Sequence, residues 1–260
     1  MHGMVRMRVS SFLRVGSKTL DLMEELFSPS SLRSYLSEFV SSFIFVFVGV
    51  GSAISAGKLM TSSYAQSTET DLLAVGVAHA FAFTVAVYVA PDSHVNPAVT
   101  FAFVIVRKLS ILTGVCHLIT QLLGSTLACL LLMLVTSGQA IPTHGLDDRV
   151  TVFGGLLMEG VATFTLVYTV FASRDPQRRS SDGIIGAIVT GFIAGVNILA
   201  IGPLTGGSMN PARSFGPSII SSDFRNHWVY WLGPLIGGGL AGLLYDKIIS
   251  SSNNQPSSEP

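Results

Sequence analysis

The chain has 260 residues, 49% of them hydrophobic and only 12% charged, with a formal net charge of zero. A soluble domain carries about a quarter of its residues as Asp, Glu, Lys or Arg, so this composition points away from a soluble globular protein and toward a lipid bilayer. The even charge balance also excludes the basic footprint of a nucleic-acid-binding protein.

The first thirty residues contain Arg6, Arg8, Arg14 and Lys18 without an apolar core leading to a small-residue cleavage site, so no cleavable signal peptide is read there. Residues 1–30 read as a basic cytosolic tail, either mobile or lying as an amphipathic segment on a membrane. A spanning helix needs ~20 mainly apolar residues. Six stretches meet that length, at about 32–55, 72–90, 109–135, 152–172, 183–201 and 228–249. Shorter apolar stretches, 97–106 and 211–220, follow the second and fifth of them. Each covers about half a membrane and suits a re-entrant segment, which must be buried in protein or face a wet cavity. Residues 251–260 are polar and read as a disordered tail.

With six spans, the N-terminal basic residues, Arg107, Lys108, Arg174, Arg178, Arg179 and Lys247 all fall on one side. The positive-inside rule makes that side cytosolic and places both termini there. Cys116 and Cys129 lie in one helix, ~20 Å apart along its axis. That is too far for a disulfide, and they read as packing residues.

The two halves repeat, about 31–136 and about 150–250, within a single channel domain over 31–250. Glu38 and Glu159 open the halves. Asn96-Pro97-Ala98 is followed by Gln121, Gly124 and Ala128, and Asn210-Pro211-Ala212 by Pro234, Gly237 and Ala241 at nearly the same spacing. Three spans per half is an odd number, so the second copy enters the membrane inverted. Such repeats point discontinuous helices at a shared midplane site. Asn is a preferred N-cap and Pro a preferred first helical residue, so each Asn-Pro-Ala begins a half-helix. Arg213 lies three positions after Asn210, on the same face, and an intramembrane charge is costly and usually functional. Its counterpart in the first half is Val99, so the charge sits off-centre, toward the non-cytosolic mouth.

His94-Val95-Asn96-Pro97-Ala98-Val99-Thr100 and Gly206-Gly207-Ser208-Met209-Asn210-Pro211-Ala212-Arg213 are similar to the two signature loops of the aquaporin (major intrinsic protein) family. The sequence resembles that family over nearly its whole length, tails excluded. Gln121-Leu122-Leu123-Gly124-Ser125, Leu166-Val167-Tyr168-Thr169-Val170, Asn197-Ile198-Leu199-Ala200 and His227-Trp228-Val229-Tyr230-Trp231 resemble the plant tonoplast intrinsic proteins. The resemblance implies an all-α membrane fold of six transmembrane helices and two re-entrant half-helices. It also implies a passive channel for water and small neutral solutes (ammonia, with urea or hydrogen peroxide as further candidates) that excludes protons and ions. A homotetramer or a hetero-oligomer with related channels, in the vacuolar membrane, is implied with it.

The family's constriction maps to His79, Ile198, Gly207 and Arg213, with His144 as a further filter residue. A filter of His79 with Ile198 and Gly207 is expected to be wider than in strict water channels while keeping donors for water or ammonia. Glu38 and Glu159 are expected to support the loop backbones. Tyr230-Trp231 and Ser214 resemble the water-selective pattern rather than that of glycerol facilitators. The half-helix N-termini, each worth roughly +0.5 of an elementary charge, would oppose cations at the centre. The amides of Asn96 and Asn210 would orient each passing water. One departure stands out: Ala90-Pro91-Asp92-Ser93-His94 leads into the first motif about three residues short and without the usual glycines. A reshaped or tighter loop is expected there.

An ion-coupled transporter would need carboxylates at the midplane, where the motifs offer donors and a cation. A membrane enzyme would need a nucleophile, a phosphate loop or a metal cluster. His94, His117 and His144 show no Cys or acid at ligand spacing, so neither metal nor cofactor is expected. A non-conducting member of the fold remains a third alternative.

Overall fold

The computed structural model describes residue 23 and residues 26–62, 68–176 and 183–250, with side chains described for all but 57–62, 68–70 and 250. The expectations for the basic N-terminal tail, apart from its last few residues, and for the tail at 251–260 lie outside the described residues. Among the described residues every regular element is helical. These are α1 (Pro29–Ser62), α2 (Thr68–Val89), α3 (Pro97–Ile105), α4 (Ile111–Val135), α5 (Val152–Arg174), α6 (Ile184–Thr205), α7 (Pro211–Ser221) and α8 (Val229–Leu244). A π-helical stretch, Tyr245–Ser250, continues α8.

Six of these helices are long and apolar enough to cross a membrane, and α3 and α7 are the two short ones, at 9 and 11 residues. Local chemistry sets the boundaries. The Ser110 hydroxyl accepts from the Thr113 amide at the start of α4, and Thr151 accepts from Gly154 at the start of α5. The fifth span runs past its expected end at Ile201. It is closed not by Pro203 but by Gly206, whose left-handed φ of 86° lets its amide bond back to Gly202.

The halves interlock. Within them α1 packs on α4 and α2, and α5 on α8 and α6, while α2 lies against α6 across the halves. Each half-helix packs chiefly on the last span of the opposite half, α3 on α8 and α7 on α4. Small residues make the closest crossings. A Cβ added at Gly237 would overlap the carbonyl oxygen of Gly160, and one added at Gly124 would overlap that of Phe39. The core joins Phe45, Val46, Phe83, Leu166, Ile198 and Met209. Large apolar side chains such as Phe81, Ile111, Phe153, Val161 and Phe192 point outward, where water would penalise them and lipid would not. Cys116 and Cys129 are both free thiols.

Candidate functional site

The chain enters α3 and α7 through a pair of matched corners. Asn96 and Asn210 take almost identical extended conformations, with φ of −149° and −148°. The Asn96 side-chain oxygen accepts from the Ala98 amide (2.8 Å), and that of Asn210 from Ala212 (2.9 Å) and Arg213 (3.2 Å). Pro97 and Pro211 occupy the first helical positions, where no donor is missed. Each amide nitrogen then crosses to the other half. Asn96 Nδ2 donates to the Met209 carbonyl and Asn210 Nδ2 to the Val95 carbonyl, both at 2.9 Å. The acceptors Val95 and Met209 hold positive φ (61° and 55°), which turns their carbonyls toward the partner loop. An amide carries two protons, so each Asn keeps one beyond the clasp. The N-termini of α3 and α7 therefore meet head to head.

A buried carboxylate holds each corner from behind. Glu159 accepts from the amides of Ser208 (2.9 Å) and Met209 (2.7 Å) and from the Thr205 hydroxyl (2.7 Å). Glu38 accepts from the amides of His94 (2.6 Å) and Val95 (2.9 Å), from the Ser93 hydroxyl (3.0 Å) and from Gln121 Nε2 (2.9 Å). The short approach to Asn96 closes as a tight turn, the Ser93 amide bonding to the Ala90 carbonyl. Arg174 clamps it by donating to the Ser93 carbonyl at 2.6 Å. The missing glycines are thus replaced by a turn and a clamp, and Asn96 keeps the pose of Asn210.

Two cavities approach this centre from opposite ends of the spans. One, of about 300 Å³, is lined by Gly49, His79, His144, Ile198, Gly206 and Arg213. The other, of about 830 Å³, lies on the face carrying Arg174 and is lined by Phe83, Val87, His94, Phe103, Tyr168 and Arg174 among others.

In the smaller cavity Arg213 organises the wall. Its Nη1 donates to the Gly207 carbonyl (2.9 Å) and meets His144 Nε2, and its Nε donates to His79 Nε2 (3.0 Å). An arginine only donates, so both imidazole Nε2 atoms are acceptors and each ring carries its proton on Nδ1. His79 spends that proton on the Val75 carbonyl (2.8 Å). Both nitrogens of His79 are therefore taken, and any donor the filter offers a solute comes from its other members. His144 Nδ1 carries a proton that meets no protein acceptor, on an atom that is itself buried. Removal from bulk solvent, and then the charge of Arg213, hold the His144 pKa well below the usual imidazole value, which keeps the ring neutral.

Gly207 sits at φ 59°, and a Cβ there would meet Ile198 at 3.2 Å. The four expected filter residues and His144 thus line or abut one cavity. Gly49 was missed by sequence reasoning. Its bare α-carbon leaves room for His79 Nε2, 2.5 Å from where a Cβ would stand. Phe45 holds the same imidazole edge-on, with ring centroids 5.8 Å apart. Val95 and Met209 were also missed, because backbone acceptors leave no mark in side-chain chemistry.

One expectation about histidines is overturned. His94 and His117 do meet an acid, since Glu38, from a distant part of the chain, lies against both of them. His144 is drawn instead to Arg213.

Residues 25–245 match the model of the Major intrinsic protein family. The chain is 51% identical to Aquaporin TIP2-1 of Arabidopsis thaliana over 233 residues, 88% of this chain and 92% of that protein. It is also 51% identical to the probable aquaporin TIP-type RB7-18C of Nicotiana tabacum, over 90% and 94% of the two chains. Its fold superposes on the X-ray structure of the aquaglyceroporin from Plasmodium falciparum at a TM-score of 0.70. That alignment has 21% identity and covers 85% of this chain and 98% of the other, a likeness of fold. With a family match over most of its length and half its residues shared with such relatives, the chain belongs to the major intrinsic protein family, as an integral membrane protein of the kind similar to the TIP2 aquaporins.

Proposed function

We propose that the chain is a passive channel for water that excludes protons and ions. The observation that carries this reading is the reciprocal clasp of Asn96 and Asn210 between two cavities, which leaves one amide proton of each Asn for a passing oxygen. A water accepting from both is turned so that it relays no proton along a file, and two opposed helix N-termini repel a cation at the same point. Arg213 adds a fixed positive charge along the path. The transporter alternative draws no support, since Glu38 and Glu159 both serve to hold the loop backbones from behind.

Ammonia is the second solute of this reading. The filter wall is apolar at Ile198 and open at Gly207, and His144 brings a neutral imidazole to it beside Arg213, a lining that suits a small neutral base. Urea and hydrogen peroxide are further candidates of similar size. The likeness to TIP-type aquaporins supports the vacuolar membrane and a homotetramer or mixed oligomer. The basic residues at Arg107, Lys108 and Arg174 support a cytosolic position for that face and for both termini.

Stopped-flow light scattering on proteoliposomes tests the proposal. The expected outcome is an osmotic water permeability well above that of empty vesicles, with no proton leak. Permeability equal to empty vesicles would refute the channel. Ammonia uptake on the same vesicles, wild type against His144→Ala, tests the filter. The ammonia-to-water ratio is expected to fall severalfold, and an unchanged ratio would remove His144 from it.

A further inference from the structure

The two buried carboxylates that hold the loops are not equivalent. Glu159 meets only hydroxyl and amide donors. Glu38 faces two imidazoles as well: its Oε1 lies 3.2 Å from His117 Nδ1 and 3.6 Å from His94 Nδ1. All three residues are buried, and one ligand atom from each lies within 4.8 Å of the others, the one such group among the described residues. The internal repeat isolates the odd member. Counting from Gln121 and Pro234, His117 corresponds to Tyr230, whose hydroxyl simply donates to the Thr205 carbonyl at 2.8 Å.

The lone pairs are placed for a ligand. Three of the four donors to Glu38 that lock the loop, Ser93, Val95 and Gln121, go to Oε2, and of these four Oε1 takes the His94 amide alone. One lone pair of Oε1 therefore faces the imidazoles. His117 Nδ1 is fully buried and its polar neighbour is Glu38 Oε1 at 3.2 Å, while Gln121 Oε1 is buried without a hydrogen-bond partner. The other nitrogen of His117 meets the Ser34 hydroxyl at 2.9 Å, which fixes the ring from behind in the way metal-bound histidines are fixed. Bond lengths of ~2.0–2.1 Å place neighbouring ligand atoms of a tetrahedral zinc site ~3.3–3.4 Å apart. The separations of 3.2 and 3.6 Å bracket that spacing.

The geometry points to a binding site for a borderline divalent transition-metal ion, zinc foremost, at Glu38 Oε1, His94 Nδ1 and His117 Nδ1. Gln121 Oε1 or a water would complete the shell. Two imidazoles and one carboxylate suit zinc, and a single carboxylate is too little for calcium or magnesium. The ion would enter from the larger cavity, whose wall includes Ser93 and His94. Arg174, fixed on the Ser93 carbonyl, sets a like charge there and disfavours weakly held cations. Once bound, the ion would tie α1, the loop before Asn96 and α4 together. His94 would exchange its contact with the Thr100 hydroxyl (3.1 Å) for it.

The test uses the full chain, purified without a histidine tag, stripped with chelator and titrated with zinc by calorimetry and thermal unfolding. One zinc per chain and a raised Tm are expected. His117→Phe should weaken binding by about tenfold or more, and a His2→Ala/His227→Ala variant should bind as the wild type does. Cobalt(II) added to the wild type should give the visible d–d bands of a four- or five-coordinate site, a readout that needs no variant. If no saturable zinc binds, or His117→Phe binds equally well, or cobalt stays spectrally octahedral, then His117 is only a hydrogen-bond donor to Glu38 and the site does not exist.

Discussion

At the scale of single residues the proposed filter depends on what holds its polar groups, more than on which groups are present. His79 is neutral, donates backward to Val75 and accepts from Arg213, so it acts as a bracket for the guanidinium. Gly49 is the space that bracket needs. Gly49→Ala should push the imidazole off Arg213, since a Cβ would stand 2.5 Å from Nε2. The expected outcome is a severalfold loss of water permeability with little change in membrane insertion, measured by stopped-flow and by protein yield. His144 makes a pH prediction. Its folded pKa is held well below the unfolded value of 6.5, first by desolvation and then by Arg213. Above ~6.5 the ring is neutral in both states. Below that value the unfolded chain takes up a proton that the folded chain refuses, so stability falls as pH drops toward the folded pKa. The Tm in detergent should decline between pH 7 and pH 5, and less steeply in His144→Ala.

Among the elements, the spans within each half share one requirement, close backbone approach. α8 meets α5 where Gly237 faces the Gly160 carbonyl, and α4 meets α1 where Gly124 faces that of Phe39. Overpacking of a tight contact costs about 1–3 kcal/mol even when the neighbours can shift, and backbone shifts poorly. Gly237→Ala should therefore lower the Tm markedly, whereas Gly145→Ala, with nothing within 4 Å of the new methyl, should leave it unchanged. Thermal unfolding of the two variants side by side checks this. Spans and half-helices were legible because apolar length and Asn-Pro punctuation are local signals. The end of α6 was not: Gly206 closes it through a left-handed residue, while Pro203 is carried inside the helix.

For the whole molecule, the repeat and its inversion could be read from an odd number of spans and from paired motifs. The positions of His79, Ile198, Gly207 and Arg213 around one cavity followed from resemblance. The use of their atoms did not. That His79 has no proton to spare depends on Val75 one turn away and on Arg213 across the fold. The meeting of Glu38 with His94 and His117 joins segments 56 and more residues apart, which no spacing rule connects. The tightness of the first loop was visible as a missing run of glycine. Its remedy, the Arg174 clamp, comes from the end of α5 and had no signal near the loop.

The clasp between the loops has a consequence for how the chain is made. Asn96 is synthesised long before Met209, and Val95 long before Asn210, yet each bond joins one early partner to one late partner. The first half emerging from the ribosome therefore carries a corner that cannot be completed, and half-helix α3 lacks the α8 surface it packs on. Insertion of three spans leaves an unfinished intermediate, and the last hundred residues act as its template. Two fragments divided at the exposed Gly138 should each remain protease-sensitive in the membrane, and co-expression should restore both protection and water permeability. Independent protection of the first fragment would show that the corner matures without its late partner.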